Sequence, residues 1–354
     1  MDVYLLSVWL DCGRLCPALF LATLHRYLEE KHTLFAQKPI VVVGSINTDL
    51  VAVTKRIPVV GETVIGSDFQ THPGGKGANQ AVAVARLGYP VRLIGRLGSD
   101  TFGADLRSHL VKAGVDITGV STSDGASGVA VIVVSAQGEN SIVLSPGANS
   151  KVTPEDLDAN LSILRSAGVV LAQLEIPLET IEYLARICAR ENVPLILDPA
   201  PASDLPPGIF KEIAWFTPNQ TEATFYLGDK RSESNPQSPA EIANILLSNG
   251  CRGVVLKMGA HGTYLGSQGG IGAFVPSFPV HAIDTTAAGD AFNAGFATAL
   301  MLGKSPLESA TFAAAVAAIS VTRRGAQPSM PSMAEVEEFL KNEPLQLVRE
   351  VAQT

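Results

Sequence analysis

Short apolar runs at residues 40–43, 91–94, 169–171, 195–197 and 254–256 alternate along this chain with helix-like stretches at 78–87, 100–113, 177–191, 239–248 and 290–302. A strand that is apolar at every position has to be buried on both faces. The connection between two such parallel strands must cross over, and a helix does this best. The alternation therefore predicts an α/β fold with a mainly parallel central sheet covered by helices on both faces. Ligands in such sheets gather at the carboxyl ends of the strands. Gly44, Glu175, Asp198 and Met258 each stand just beyond a predicted strand, so residues far apart in sequence can converge there. With 354 residues, 46% of them hydrophobic, the chain can bury the core of one large α/β domain or of two smaller ones.

Two stretches break this pattern. Residues 50–71, with a turn from Pro58 to Gly61, and 129–144, with Gln137-Gly138-Glu139-Asn140 as the turn, alternate as half-exposed strands do and predict a small sheet outside the main one. Residues 228–239 are polar and read as a surface loop. A net charge of -8 argues against a broad nucleic-acid surface. Cys12, Cys16, Cys188 and Cys251 are too scattered for a disulfide framework or a zinc ribbon, and fit a reducing cytoplasm. In residues 1–38 the apolar runs are too short to span a membrane and are broken by Asp11 and Arg14. That segment reads as an N-terminal extension, either an amphipathic helix or sequence upstream of the native start.

Chemistry concentrates in a few motifs. The run Asp284-Thr285-Thr286-Ala287-Ala288-Gly289-Asp290 places a carboxylate where a loop becomes a helix. The small residues Ala287, Ala288 and Gly289 let a phosphate reach unpaired helix N–H groups, and Asp290 is placed to take a proton from an attacking hydroxyl. Alone, such an Asp is equally well explained as a helix-start charge. Gly74-Gly75-Lys76-Gly77-Ala78-Asn79-Gln80 combines glycines that permit close backbone approach to a ligand with the polar groups of Lys76 and Asn79; alone, it is a glycine turn before a packed helix. Asn47 and Asp49 offer an amide and a carboxylate suited to sugar hydroxyls, or a simple Asx turn. Asn219 could merely cap a helix starting near Thr221.

Together, Gly44-Ser45-Ile46-Asn47-Thr48-Asp49, Gly74 to Asn79 and Asp284 to Asp290 resemble the ribokinase branch of the PfkB carbohydrate-kinase family. The resemblance continues in family order through Gln173-Leu174-Glu175-Ile176-Pro177, Asp198-Pro199-Ala200-Pro201, Thr217-Pro218-Asn219-Gln220-Thr221-Glu222 and Thr322-Arg323-Arg324-Gly325-Ala326-Gln327-Pro328-Ser329. It implies a ribokinase-like domain over 39–340, followed by a tail at 341–354, with the small sheet acting as a lid over the sugar and as a homodimer contact. The implied reaction is ATP-dependent phosphorylation of the primary hydroxyl of D-ribose, giving D-ribose 5-phosphate and ADP. Asp290 would be the general base, with Ala287, Ala288 and Gly289 holding the developing charge.

By the same resemblance, Asn47, Asp49, Gly75, Lys76, Gly77, Ala78, Asn79 and Glu175 line the sugar pocket. Asn219, Lys257, Met258, Gly259, Ala260, His261, Gly262, Gly289 and Ala314 meet ATP. Asn219 and Glu222 organise magnesium through water. Asp284, Thr286, Ser320, Arg323, Gly325 and Ser329 form a monovalent-cation site for potassium. Ala314 departs from the polar side chain that many relatives carry near adenine. The partners implied are a small sugar and ATP, with no nucleic acid and no membrane. Deoxyribose, fructose or nucleoside kinases share the apparatus and form the alternative, with a non-catalytic sugar or nucleotide sensor behind them. A Walker-type NTPase is disfavoured because Gly303-Lys304-Ser305 has Thr298 where the loop needs glycine, and no Gly-x-Gly-x-x-Gly exists for a dinucleotide enzyme.

Overall fold

All four residues of the strand Ile40–Val43 are buried, and the period-two pleat decides which layer of core each one joins. Ile40 and Val42 enter one hydrophobic layer, Val41 and Val43 the other. This strand is β1 of a computed structural model that describes residues 37–228, 237–270, 272–343 and 349–351. The chain divides into two units, Met1–Lys38 and Pro39–Thr354, and the second carries the described strands and helices. Residues 1–36 of the expected N-terminal extension and 229–236 of the expected loop at 228–239 lie outside the described residues.

In chain order the strands are β1, β2 (Asn47–Val53), β3 (Asp68–Gly74), β4 (Val91–Gly98), β5 (Asp116–Ser123), β6 (Gly128–Val134), β7 (Asn140–Ser145), β8 (Val169–Gln173), β9 (Leu195–Asp198), β10 (Trp215–Phe216), β11 (Gly253–Lys257), β12 (Thr263–Ser267), β13 (Gly272–Val275) and β14 (Arg349–Val351). The helices are α1 (Lys76–Arg86), α2 (Thr101–Lys112), α3 (Pro154–Ala159), α4 (Leu161–Ser166), α5 (Leu178–Arg190), α6 (Gln220–Leu227), α7 (Pro239–Ser248), α8 (Ala288–Met301), α9 (Pro306–Ser320) and α10 (Met333–Asn342). The main sheet has the order β5-β4-β1-β8-β9-β10-β11-β12-β13-β14, parallel from β5 to β11 and antiparallel beyond. Strand order reverses at β1, because β4 lies on one side and β8, much later in the chain, on the other. That is the switch point where an open α/β sheet leaves a crevice.

The small sheet has the order β3-β2-β6-β7, as the alternating stretches predict. Two details differ. Residues 54–67 form a long connection between β2 and β3 rather than a tight hairpin centred on Pro58 to Gly61, and Asn140 pairs with Val134 in the ladder instead of sitting in the turn. On this sheet Phe69, Val131, Ile142, Val143 and Leu144 are exposed. At the far end of the chain, α10 runs past the expected boundary at 340, and β14 adds to β13 as an edge strand of the main sheet, so 341–354 is not simply a tail. The alternation signal has nothing to report at so short an edge strand.

The strands of the small sheet join the body at one end of the sheet. Asn47 pairs with both Gly74 and Gly128, which places the start of β2, the end of β3 and the start of β6 side by side. Just after β7, Asn149 accepts a hydrogen bond from Ile46 N at 2.9 Å and donates to Ile46 O at 3.2 Å and Asn47 Oδ1 at 2.7 Å. This crowding by itself requires the glycines at the start of α1. Gly75 has φ +88°, and a Cβ at Gly77 would stand 2.6 Å from the carbonyl carbon of Gly44. Because backbone, not a flexible side chain, fills that space, Gly77→Ala is expected to lower the melting temperature by several degrees, consistent with an overpacking cost of about 1–3 kcal/mol. Thermal denaturation with unchanged Tm would show that α1 can shift away.

Candidate active site

Across the crevice between β1 and β8, Ser45 Oγ donates to Glu175 Oε2 at 2.5 Å, and the backbone N–H of Lys76 donates to the same oxygen at 3.2 Å. Three segments are thereby joined: the loop after β1, the start of α1 and the loop after β8. Asn47, Asn149 and Glu175 also line a cavity of about 360 Å³ whose other walls include Leu144 from the small sheet and Ile176. Asp49, on β2, turns its carboxylate against Gly74. Burial pushes its pKa up to about 7, and the nearby carboxylates of Glu175 and Asp290 push in the same direction.

Asp290 lies in the first turn of α8 and is 4% exposed. Its Oδ2 accepts from Asn79 Nδ2 and its Oδ1 from Gln80 Nε2, both at 3.0 Å. Burial raises its pKa above the ordinary aspartate value and Asp198 adds to the rise, while Lys76 and the two amide donors oppose it. A carboxylate raised in this way is a better proton acceptor, as a general base near neutral pH needs to be. Burial works against the Lys76 ammonium, yet Asp290, Asp198, Glu175 and Glu222 together hold its pKa above the usual lysine value, so it stays charged. The helix itself starts at Ala288, two residues before the expected 290, with Ala287 as N-cap in the left-handed region at φ 59°, ψ 16°. Such a conformation costs a non-glycine residue about 1–2 kcal/mol. It marks the turn that presents the N–H groups of α8.

Lys257, at the end of β11, donates from Nζ to Asp198 Oδ1 at 2.9 Å, and Nζ stands 3.5 Å from where a Cβ on Gly289 would be. The Lys257 side chain is thus held beside the helix start from the end of β11, just ahead of the loop from Met258 to Gly262. Gly259, with φ +55°, and Gly262, with φ +89°, shape that loop, in which Ala260 and His261 are exposed. Met258 turns inward into the hydrophobic layer that contains Leu256, so its side chain is core. Ala314, on α9, packs against the other layer, and no described contact brings it to the cluster around Asp290.

Asn219 and Glu222 form a reciprocal capping box at the start of α6: Glu222 N donates to Asn219 Oδ1, and Asn219 N donates to Glu222 Oε2, each at 2.8 Å. The capping reading is therefore realised, and Asn219 Nδ2 also donates to the other carboxylate oxygen, Glu222 Oε1, at 2.8 Å. Burial and Asp198 raise the Glu222 pKa, with Lys257 opposing. In the other loop pair, Asp284 accepts from Thr286 N at 2.9 Å and from Gly325 N at 2.8 Å. Burial would raise Asp284, but these donors hold it below the usual aspartate value. Ser320 and Ser329 donate their hydroxyls to Ala317 O and Ala326 O, and Arg323 pairs with Glu335, so only backbone oxygen could come from Arg323.

Sequence reasoning gave Gln80, Gln173, Gln327 and Asn149 no role and placed Asp198 only by convergence. Gln80 follows directly on the glycine motif, and a glutamine in a helix of small buried residues was the available signal.

The pfkB family of carbohydrate kinases matches residues 37–333. The ribokinase of Haemophilus influenzae is 40% identical over 307 residues, covering 86% of this chain and 99% of that one. The ribokinase of Schizosaccharomyces pombe is 41% identical over 306 residues, covering 84% and 96%. Among solved structures, Arabidopsis thaliana ribokinase complexed with ribose and ATP is 37% identical, with a TM-score of 0.80 over 86% of this chain and 99% of that one.

Asp49 supplies a pH test of this geometry. Its folded pKa is raised to about 7 from the ordinary aspartate value of 3.8, so the folded chain binds the proton more tightly than the unfolded one. Stability must then fall as pH rises from about 4 to about 7. Asp49→Asn removes this group, and its Tm relative to the parent is expected to be more favourable at pH 8 than at pH 5. An identical Tm difference at both pH values would show that Asp49 ionises freely.

Proposed function

This chain belongs to the pfkB family of carbohydrate kinases, and we propose that it transfers the γ-phosphate of ATP to the primary hydroxyl of D-ribose, giving D-ribose 5-phosphate and ADP. The observation that carries the chemistry is the buried Asp290 carboxylate in the first turn of α8, with the charge of Lys76 acting on it and Lys257 beside the neighbouring Gly289. Asp290 takes the proton of the attacking hydroxyl. The N–H groups at the start of α8, presented by Ala287, Ala288 and Gly289, face the negative charge that develops on the transferred group, and Lys257 stands beside them. At the other end, Asn47, Asp49, Asn79 and Glu175 offer amides and carboxylates to the sugar hydroxyls. The β11 loop from Lys257 to Gly262 lies on the nucleotide side. The named relatives support ribose as the acceptor.

Magnesium accompanies ATP in kinases of this kind, where it neutralises phosphate charge. Among the described residues no group of three or more His, Cys, Asp or Glu side chains converges on one point, while each Glu222 carboxylate oxygen accepts one hydrogen bond from Asn219 and keeps a second lone pair. That donor set fits an ion held largely through its own water, with Asn219 and Glu222 as the outer contacts. Potassium would be held by Asp284 and the oxygens of Thr286, Ser320, Arg323, Gly325 and Ser329, and it would supply fixed positive charge behind the anion site. The fit rests on Asp284, which already ties the 286 and 325 loops together through two N–H groups. The exposed Phe69, Val131, Ile142, Val143 and Leu144 support a homodimer through the small sheet, which would also serve as the lid. Buried, unbridged Cys188 and Cys251 accord with a reducing cytoplasm.

The deciding assay is ADP formation with magnesium and ATP across D-ribose, deoxyribose, fructose and adenosine, in potassium and in sodium buffer. D-ribose is expected to give the highest kcat/KM, with potassium above sodium; preference for another acceptor would overturn the substrate, and none would overturn the kinase reading. Asp290→Asn should fold and bind ATP, yet lose about a hundred to ten-thousandfold in kcat, the usual worth of a general base. Parent-like turnover in that variant would remove Asp290 from the mechanism.

A further inference from the structure

The buried amide of Gln80 faces two carboxylates at once. Its Nε2 donates to Asp290 Oδ1 at 3.0 Å and to Asp198 Oδ2 at 3.3 Å. An amide nitrogen has two hydrogens, so each carboxylate takes one. The other end of the amide is fixed as well, since Gln80 Oε1 accepts from Gln173 Nε2 at 2.7 Å. Carboxylates only accept, so the NH₂ end has to face them, and the orientation of Gln80 is forced. A parallel arm holds the second oxygen of Asp290: Asn79 Nδ2 donates to it, and Asn79 Oδ1 accepts from Gln327 Nε2 at 3.1 Å. Gln80 has no exposed surface.

From this geometry we propose that Gln80, backed by Gln173, is a positioning residue that sets the Asp290 carboxylate and the Asp198–Lys257 pair in a fixed relation to each other. The proposal rests on the reading of Asp290 as the base. Its consequence is that one neutral side chain registers the proton acceptor of the sugar side against the cation on the phosphate side. Neither Asp290 nor Asp198 can rotate without giving up the N–H that the other's position defines. The amide does this without adding charge to a site where Lys76, Asp198 and Asp49 face Asp290 and Lys257 stands beside Gly289. Positioning at this level matters because a displacement of about 1 Å at a reacting group can cost on the order of a hundredfold in rate.

The test compares Gln80→Leu, Gln173→Leu and Asp290→Asn in the full chain, measuring kcat, both KM values and the pH dependence of kcat. Gln80→Leu is expected to lower kcat by about ten- to a hundredfold with sugar and ATP KM changed by less than about threefold, as for a loss confined to the transition state. The acid limb of kcat should also move to higher pH, because the ionised base has lost a donor. Gln173→Leu leaves Gln80 and both carboxylates in place and should shift the limb in the same direction by less, which keeps the test open if Gln80→Leu does not fold. Parent-like kcat and an unmoved acid limb in the folded variants would overturn the positioning role. Full activity of Asp290→Asn would instead overturn the base reading on which it rests.

Discussion

A carboxylate with 4% of its surface exposed cannot remain ionised unless cations and N–H donors surround it, because burying an uncompensated charge costs several kcal/mol. Around Asp290 that compensation comes from Lys76, Asn79 and Gln80 of α1, and it depends on elements far apart in sequence: the opposing charge of Asp198 is itself paired with Lys257 from the end of β11, and Gln327 from beyond α9 holds Asn79. The fold can be understood as what is needed to bring these groups to one point. A parallel sheet does so economically, since its strand ends are neighbours, and the helix that starts there contributes its own N–H groups.

The balance of charge is deliberately incomplete. Two lysines stand among Asp49, Asp198, Glu222 and Asp290, so carboxylates outnumber cations locally, and burial raises Asp49, Glu222 and Asp290 while Lys76 is held charged. Such a cluster accepts protons readily and would be relieved by added positive charge. Both properties suit a reaction in which a hydroxyl gives up its proton and a phosphate arrives with a metal ion.

What could be read from the sequence was whatever repeats or breaks a pattern. Apolar runs such as Ile40 to Val43 announced strands buried on two faces, the alternation at 129–144 announced a half-exposed ladder, and the carboxylate after three small residues announced Asp290. What could not be read depends on contacts between segments. Whether Met258 faces a nucleotide or the core is decided by the layer beneath it, and Gly77 is small because the backbone of Gly44 lies over it. Gln173 and Gln327 look like ordinary polar residues until their distant amide partners are in place. Asn219 and Glu222 show how one spacing can carry two explanations: the sequence alone could not tell a helix cap from a polar pair kept for a ligand, and the contacts realise the cap.

Asn47 is where the small sheet's three strand ends meet and where Asn149 fastens the return of the fourth. The start of β6 is tied to the body again through Ser127, whose Oγ accepts from Gly98 N and donates to Asp100 Oδ1 and whose N–H donates to Asp100 Oδ2. Asn47 itself also stands in the cavity wall. The side chain that joins the small sheet to the body is therefore also part of the cavity's surface, so the junction and the cavity cannot be altered independently.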